Sequence, residues 1–103
     1  IGSMSSRKQL RPKADFGRAL QVLRAARGVT QEDMLFATSR RHISRVEQGH
    51  QVPSIRTIEG LAESLQIHPM TLIATAYCQG LEHASFDEII EIVKADLQAL
   101  TLG

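Results

Sequence analysis

The 103-residue sequence predicts an all-α protein, in which five helices form one small domain and a sixth, amphipathic helix follows it. Three observations lead to this fold class. Apolar residues recur at the three- and four-residue spacing of helices through most of the chain. Residues that favour helix N-caps precede these segments, and glycine or proline separates them. The length allows one modest hydrophobic core rather than two.

The first two helices are predicted from their caps. Asp15 is a suitable N-cap for a helix that ends at Gly28, where a left-handed C-cap costs little. The apolar stripe of this helix comprises Phe16, Leu20, Leu23 and Ala26. A second helix should follow Thr30 as its N-cap, with Asp33 as the acidic member of a capping box.

The third helix is predicted to begin after Ser39 and to stop at Gly49. One of its faces is apolar at Ile43 and Val46, and the opposite face carries hydrogen-bond donors. A helix of this kind suits the DNA major groove, where arginine can bind guanine O6 and N7. We therefore predict that four residues read bases: Arg40, Arg41, Ser44 and Arg45.

Two further helices complete the predicted domain. Ser54 caps the fourth helix, in which Gly60 lowers helix propensity for no reason visible in the sequence. Its core stripe comprises Ile55, Ile58, Leu61, Ala62 and Leu65. The fifth helix opens at His68-Pro69, since proline suits the first helical position. Four residues of this helix should face the core: Leu72, Ile73, Ala76 and Tyr77.

The sixth helix, within residues 84–101, opens with a capping box from Ser85 to Glu88. Its apolar positions step by 4, 3, 4 and 3 residues, and neighbouring isoleucines widen the stripe. A seam this short cannot sustain a free coiled coil, so the helix packs either on its own domain or on a second chain. The candidate dimerisation residues are Phe86, Ile89, Ile90, Val93, Leu97 and Leu100.

Charge divides the chain into two halves. The net charge is +1, but residues 1–56 carry +7 and residues 57–103 carry −6. Residues 1–13 should form a flexible basic arm, in which residues 1–3 are an expression remnant. The arm either follows the DNA backbone or remains a solvated tail. Its basic residues are Arg7, Lys8, Arg11 and Lys13.

Several classes of protein are disfavoured. The four histidines and the single cysteine have no metal-ligand spacing, so no metal site or cofactor is expected. Cys78 lies in an apolar helix and should be an ordinary buried thiol. The sequence has no phosphate-binding loop or nucleophile motif, and an enzyme is not expected. Without an apolar run long enough for a membrane span, a cytoplasmic protein is predicted.

From about Phe16 to Tyr77 the chain resembles the Cro and phage-repressor helix-turn-helix family, often called the XRE family. The matching phrases are LRAARGVTQEDM from Leu23, SRRHISRVEQG from Ser39 and VPSIRTIEGLAESLQIHPMTL from Val52. The resemblance implies a five-helix lambda-repressor-like DNA-binding domain over residues 14–80. The chain departs from the family in one place. The family usually has about two more residues between the position of Gln31 and the third helix, which is its recognition helix. The second helix or the turn must therefore be shorter.

The resemblance also assigns roles to single residues. It implies that Gln31 contacts a DNA phosphate, which the exposed N–H groups of a first helical turn also favour. It implies a structural ion pair between Arg24 of the first helix and Glu47, which the helical projection places on the inward face beside Ile43. The full predicted set of phosphate contacts is Gln31, His42, Gln48, His50 and the arm.

The predicted function is therefore that of a sequence-specific transcriptional regulator that binds double-stranded DNA. A homodimer on a palindromic operator is favoured, and a repressor is favoured over an activator. The alternative is a protein-interaction module, such as the antitoxin half of a toxin-antitoxin pair. In that case the acidic half would bind a second protein and DNA binding would be secondary.

Overall fold

A computed structural model describes residues 13–80 and 85–100 of the chain, and the predicted all-α fold class is confirmed there. Helix α1 spans Phe16–Arg27, and a 3₁₀ helix spans Glu32–Met34. The recognition helix, α2, spans Arg40–Glu47. It is followed by α3 at Ile55–Leu65, α4 at Pro69–Gly80 and α5 at Phe86–Ala99. None of these helices is long and apolar enough to cross a membrane.

Side-chain caps begin four of the helices where the sequence predicted them. Asp15 Oδ1 accepts a 2.9 Å hydrogen bond from the backbone N–H of Arg18 at the start of α1. The hydroxyl groups of three serines accept equivalent bonds at the starts of α2, α3 and α5; these are Ser39, Ser54 and Ser85. Gly28 ends α1 in the left-handed conformation, with a φ of 66°. Each cap satisfies a backbone group that the helix itself cannot.

The second predicted helix is a single 3₁₀ turn instead of an α-helix. Thr30 and Asp33 form the expected capping box, in which Thr30 N donates to Asp33 Oδ2 at 2.9 Å and Asp33 N donates to Thr30 Oγ1 at 3.2 Å. Hydrogen bonds to the Asp33 carboxyl group from the backbone N–H and the hydroxyl group of Thr30 lower its pKa below the ordinary value. A 3₁₀ helix rises about 2.0 Å per residue against 1.5 Å for an α-helix, so fewer residues cover the distance to the recognition helix.

The hydrophobic core lies between α1, the 3₁₀ helix, α2, α3 and α4. Its buried members are Ala19, Leu20, Met34, Ile43, Val46, Ile58, Leu61, Leu65, Leu72 and Ala76. Two residues of the predicted stripes are exposed. Ile55 is 63% exposed because it is the first residue of α3, one turn before the core begins at Ile58. Ala26 is exposed near the end of α1.

Two glycines allow backbones to approach closely. A β-carbon on Gly60 would lie 2.9 Å from the Ala37 β-carbon, so the glycine lets α3 pack against the turn before the recognition helix. A β-carbon on Gly17 would lie 2.5 Å from the Val46 carbonyl oxygen, at the end of the recognition helix. Gly60 therefore has a packing role that the sequence alone did not explain, and Gly17 fixes the distance between α1 and α2.

Helix α5 packs against α4 but has no buried residue. Ile89 and Ile90 are half-buried. The other apolar residues of this helix are exposed; they are Phe86, Ile92, Val93, Leu97 and Leu100. The described part of the chain therefore does not cover the apolar face of α5.

Gly17→Ala should destabilise the fold by about 1–3 kcal/mol, because the added methyl group meets backbone carbonyls that cannot rotate away. The change in unfolding free energy can be measured by urea denaturation monitored by circular dichroism. Ala26→Leu is the control, since it enlarges an exposed residue of the same helix and should change stability by less than about 0.5 kcal/mol. Equal stability of the two variants would contradict a close contact at Gly17.

Candidate DNA interface

The recognition helix presents two different faces. Ile43 and Val46 are buried in the core, which fixes the rotation of the helix about its axis. Arg41 is exposed on the other side, and Ser44 and Arg45 are half-buried beside it. After the helix, Gly49 has a φ of 81° and turns the chain back. Core packing therefore determines which side chains face outward, as the helical projection of the sequence predicted.

A groove of about 420 Å³ runs along this outward face. It is lined by Ser39, Arg41, His42, Arg45 and Gln51. The two guanidinium groups each carry five N–H donors and no acceptor. The edges of base pairs in the major groove and the phosphate oxygens of DNA supply acceptors in complementary positions. The groove is therefore suited to the edge of a DNA duplex, and it includes Gln51, which the sequence did not single out.

Arg40 is the first residue of the recognition helix and forms an exposed ion pair. Its Nη2 atom lies 3.2 Å from Glu32 Oε1 on the 3₁₀ helix, and both side chains are more than half exposed. Exposed ion pairs of this type contribute little free energy. Arg40 can therefore exchange this carboxylate for a DNA phosphate or base at small cost.

A shielded ion pair joins the recognition helix to α1. Arg24 Nε lies 2.6 Å from Glu47 Oε2, and Arg24 Nη2 donates to Glu47 Oε1 at 3.0 Å. The same guanidinium group donates through Nη1 to the Val29 carbonyl oxygen at 3.1 Å. The side chain of Glu47 is only 6% exposed and that of Arg24 is 21% exposed. This is the pair that the family resemblance implied, and it fixes the position of the Glu47 side chain.

Gln31 extends this pair toward the outward face. Its Nε2 atom donates to Glu47 Oε1 at 2.9 Å, and its Oε1 atom accepts from the Ser44 hydroxyl group at 3.4 Å. Because the amide nitrogen carries two hydrogens, one donor remains for a DNA phosphate. Because the Ser44 hydroxyl hydrogen is donated to Gln31, the hydroxyl oxygen of Ser44 remains as an acceptor.

The end of the recognition helix has a second anchor on α1. Gln21 Nε2 donates to the Glu47 carbonyl oxygen at 3.1 Å, near the place where Gly17 lets the two helices touch. Sequence reasoning missed both residues. A glutamine on a helix surface and a glycine in its first turn carry no pattern that reveals a distant backbone partner.

The predicted phosphate contacts are in different situations. Gln48, His50 and Lys13 are exposed and can reach a ligand. Arg7, Lys8 and Arg11 lie outside the described residues. The ring of His42 is half-buried: Nδ1 is 2.9 Å from Gln51 Oε1, and Nε2 is buried with no hydrogen-bond partner among the described residues. In this arrangement both ring nitrogens are turned away from a phosphate, so a contact from His42 to DNA remains a prediction that would require its side chain to move.

No group of three or more potential metal ligands is found in the parts of the chain that the structure describes. Cys78 is half-buried and has a free thiol, so it is less deeply placed than the sequence suggested.

Comparison with known proteins gives two similarities. A family model described as a helix-turn-helix domain matches residues 15–72. Among solved structures, the restriction-modification controller protein C.AhdI from Aeromonas hydrophila is similar, with 36% sequence identity and a TM-score of 0.52. The match covers 57% of this chain and 92% of C.AhdI. A comparison with curated proteins found no match.

Arg24→Ala should destabilise the fold by about 3 kcal/mol, because it leaves the carboxylate of Glu47 shielded from water without its ionic partner. Arg24→Met combined with Glu47→Leu should recover much of this loss, since it removes both charges. Arg40→Ala is the matched control, because it breaks an exposed pair and should cost less than about 1 kcal/mol. Thermal and urea denaturation of the four proteins measure these differences. An unchanged melting temperature in Arg24→Ala would show that water can replace the arginine.

Proposed function

This chain belongs to the helix-turn-helix domain family and is a DNA-binding transcription regulator; from this premise we propose that it binds a palindromic operator as a homodimer and represses transcription. The observation that carries the proposal is the groove beside the recognition helix, in which Arg41 and Arg45 present donors on the face opposite the core. Base edges in the major groove are the ligands that such a face can distinguish.

Base reading and phosphate binding are assigned to different residues in this proposal. Arg40, Arg41, Ser44 and Arg45 project from the recognition helix and read bases. Gln31, Gln48, His50 and the basic arm hold the backbone on either side, which fixes the register of the helix in the groove. The chain needs no cofactor or catalytic group for this activity.

The homodimer is supported by the exposed face of α5. Phe86, Val93 and Leu97 share one side of this helix and are exposed, so this side gains little from burial against the described part of its own chain. A second copy of the same helix offers a complementary apolar seam, and a two-fold axis makes this contact self-complementary. One recognition helix spans only a few base pairs, whereas two related by a dyad read half-sites about one helical turn apart.

Repression follows from where such a dimer sits. A dimer on two adjacent major grooves occupies one face of the duplex and prevents another protein from using the same DNA. The similarity to C.AhdI supports a more specific role, in which the regulated genes belong to a restriction-modification system. Reporter assays with the promoter of the chain's own gene and those of its neighbours would test both the sign and the target.

Arg41→Ala and Arg45→Ala should each weaken binding to a selected operator by about 1–3 kcal/mol and relax the preference at one or two base pairs. A selection from a random DNA pool supplies the operator, and fluorescence anisotropy measures the affinity. Lys13→Ala is the control for a backbone contact and should weaken all duplexes by a similar, smaller factor. If the two arginine variants lost affinity equally for the operator and for random DNA, base reading by α2 would be wrong.

Val93→Asp and Leu97→Asp should convert a dimer into a monomer that keeps its helical content and binds the operator far more weakly. Size-exclusion chromatography with light scattering gives the mass, and circular dichroism gives the helical content. Gln98→Asp is the matched control, because it adds the same charge to an exposed position of α5 away from the seam. A monomeric wild-type protein would contradict the dimer. A stoichiometric second protein that dissociates on the same substitutions would instead favour the interaction-module alternative.

A further inference from the structure

We infer that Gln51 is an additional DNA-contacting residue and that His42 is a positioning residue that orients it. The ligand of Gln51 is a hydrogen-bond acceptor of duplex DNA, either a base edge or a phosphate oxygen. The inference rests on the proposed function and adds a residue from outside the recognition helix to the DNA interface. It also gives a role to the half-buried imidazole of His42.

The loop after the recognition helix brings the two side chains together. Gly49, with its φ of 81°, reverses the chain, and His50 N donates to the Arg45 carbonyl oxygen at 2.8 Å. The next residue, Gln51, therefore lies alongside the helix that it has just left. Its Oε1 atom is 2.9 Å from Nδ1 of His42, nine residues earlier.

The buried ring nitrogen determines the direction of this hydrogen bond. Nε2 of His42 is shielded from solvent and has no hydrogen-bond partner among residues 13–80 and 85–100. If the proton were on Nε2, a buried N–H group would have no acceptor, and such orphaned donors are rare in folded proteins. The proton is therefore on Nδ1, which donates to the Gln51 oxygen.

This direction leaves the amide of Gln51 with donors only. Its oxygen is occupied by His42, while its NH₂ group makes no hydrogen bond within the described residues. The residue is exposed and lines the same groove as Arg41 and Arg45. A fixed amide costs less side-chain entropy on binding than a free one. Every outward group of these three residues is then a donor, which matches the acceptors of DNA.

The first test compares variants of Gln51 on the selected operator and on random duplexes. Gln51→Ala should raise the Kd for the operator about tenfold. Gln51→Glu keeps an acceptor for His42 but replaces the donors with a negative charge, so it should raise the Kd further. Gln98→Ala, at an exposed glutamine of α5, should leave the Kd unchanged. A loss confined to the operator identifies a base contact, and an equal loss on all duplexes identifies a phosphate contact. Wild-type affinity in Gln51→Ala would overturn the inference.

The second test asks whether His42 acts through Gln51. His42→Leu should weaken DNA binding, and combining it with Gln51→Ala should cause no further loss beyond that of Gln51→Ala alone. Independent, multiplicative losses would overturn the positioning role, as would a variant with a lower melting temperature but unchanged affinity. Nitrogen-15 NMR of the imidazole should show the proton on Nδ1, and a proton on Nε2 would overturn the orientation.

The outcomes separate this inference from the proposed function. If wild-type protein selects no operator, both fail. If Arg45→Ala loses operator affinity while Gln51→Ala retains it, the regulator stands and only the role of Gln51 is wrong.

Discussion

The ion pair between Arg24 and Glu47 is the interaction on which the geometry of the DNA-binding face depends. Glu47 is the last residue of the recognition helix and its carboxylate is almost fully removed from water. A carboxylate in that position is tolerable only with a charged, hydrogen-bonded partner. Arg24 supplies two donors to it and a third to the Val29 carbonyl oxygen, so a single guanidinium group joins α1, the following loop and the recognition helix.

Hydrogen bonds extend from this pair to residues of the proposed DNA-binding face. Glu47 holds Gln31, and Gln31 holds Ser44, so a side chain at the start of the 3₁₀ helix is tied to one in the recognition helix. On the other side, His42 holds Gln51. Arg41 and Arg45 are the long donors of the groove whose side chains make no hydrogen bond within the described residues. Binding therefore orders few side chains, which limits the entropy lost when DNA is bound.

The short 3₁₀ helix shows how the fold accommodates a connection shorter than the family resemblance would suggest. Between Gln31 and Ser39 the chain uses a helix with a larger rise per residue and a close contact between Ala37 and Gly60. Met34 is the buried residue of this 3₁₀ helix and anchors it in the core. The recognition helix nonetheless keeps its rotation, because Ile43 and Val46 still pack in the core and Glu47 still meets Arg24.

Local signals in the sequence determined the fold class, the order of the helices and the face of α2 that points outward. Caps at Asp15, Ser39 and Ser54 act within a few residues, and apolar periodicity is a property of one helix at a time. The second helix forms where its capping box predicted it, but as a single 3₁₀ turn, since a capping box does not specify how far the helix continues. The pairing of Arg24 with Glu47 came only through resemblance to a family.

Contacts between distant segments were decided by the tertiary structure alone. Gly17, Gly60 and Gln21 acquire their roles from backbone atoms that lie far away in sequence, and no local pattern encodes such a distance. His42 looked like an outward donor, but the loop at Gly49 folds Gln51 back onto its ring. The sequence thus determined which residues carry donors that could reach DNA. Packing decided which of these donors are free, because a hydrogen-bond donor has a limited number of partners and the nearest protein acceptor occupies it first.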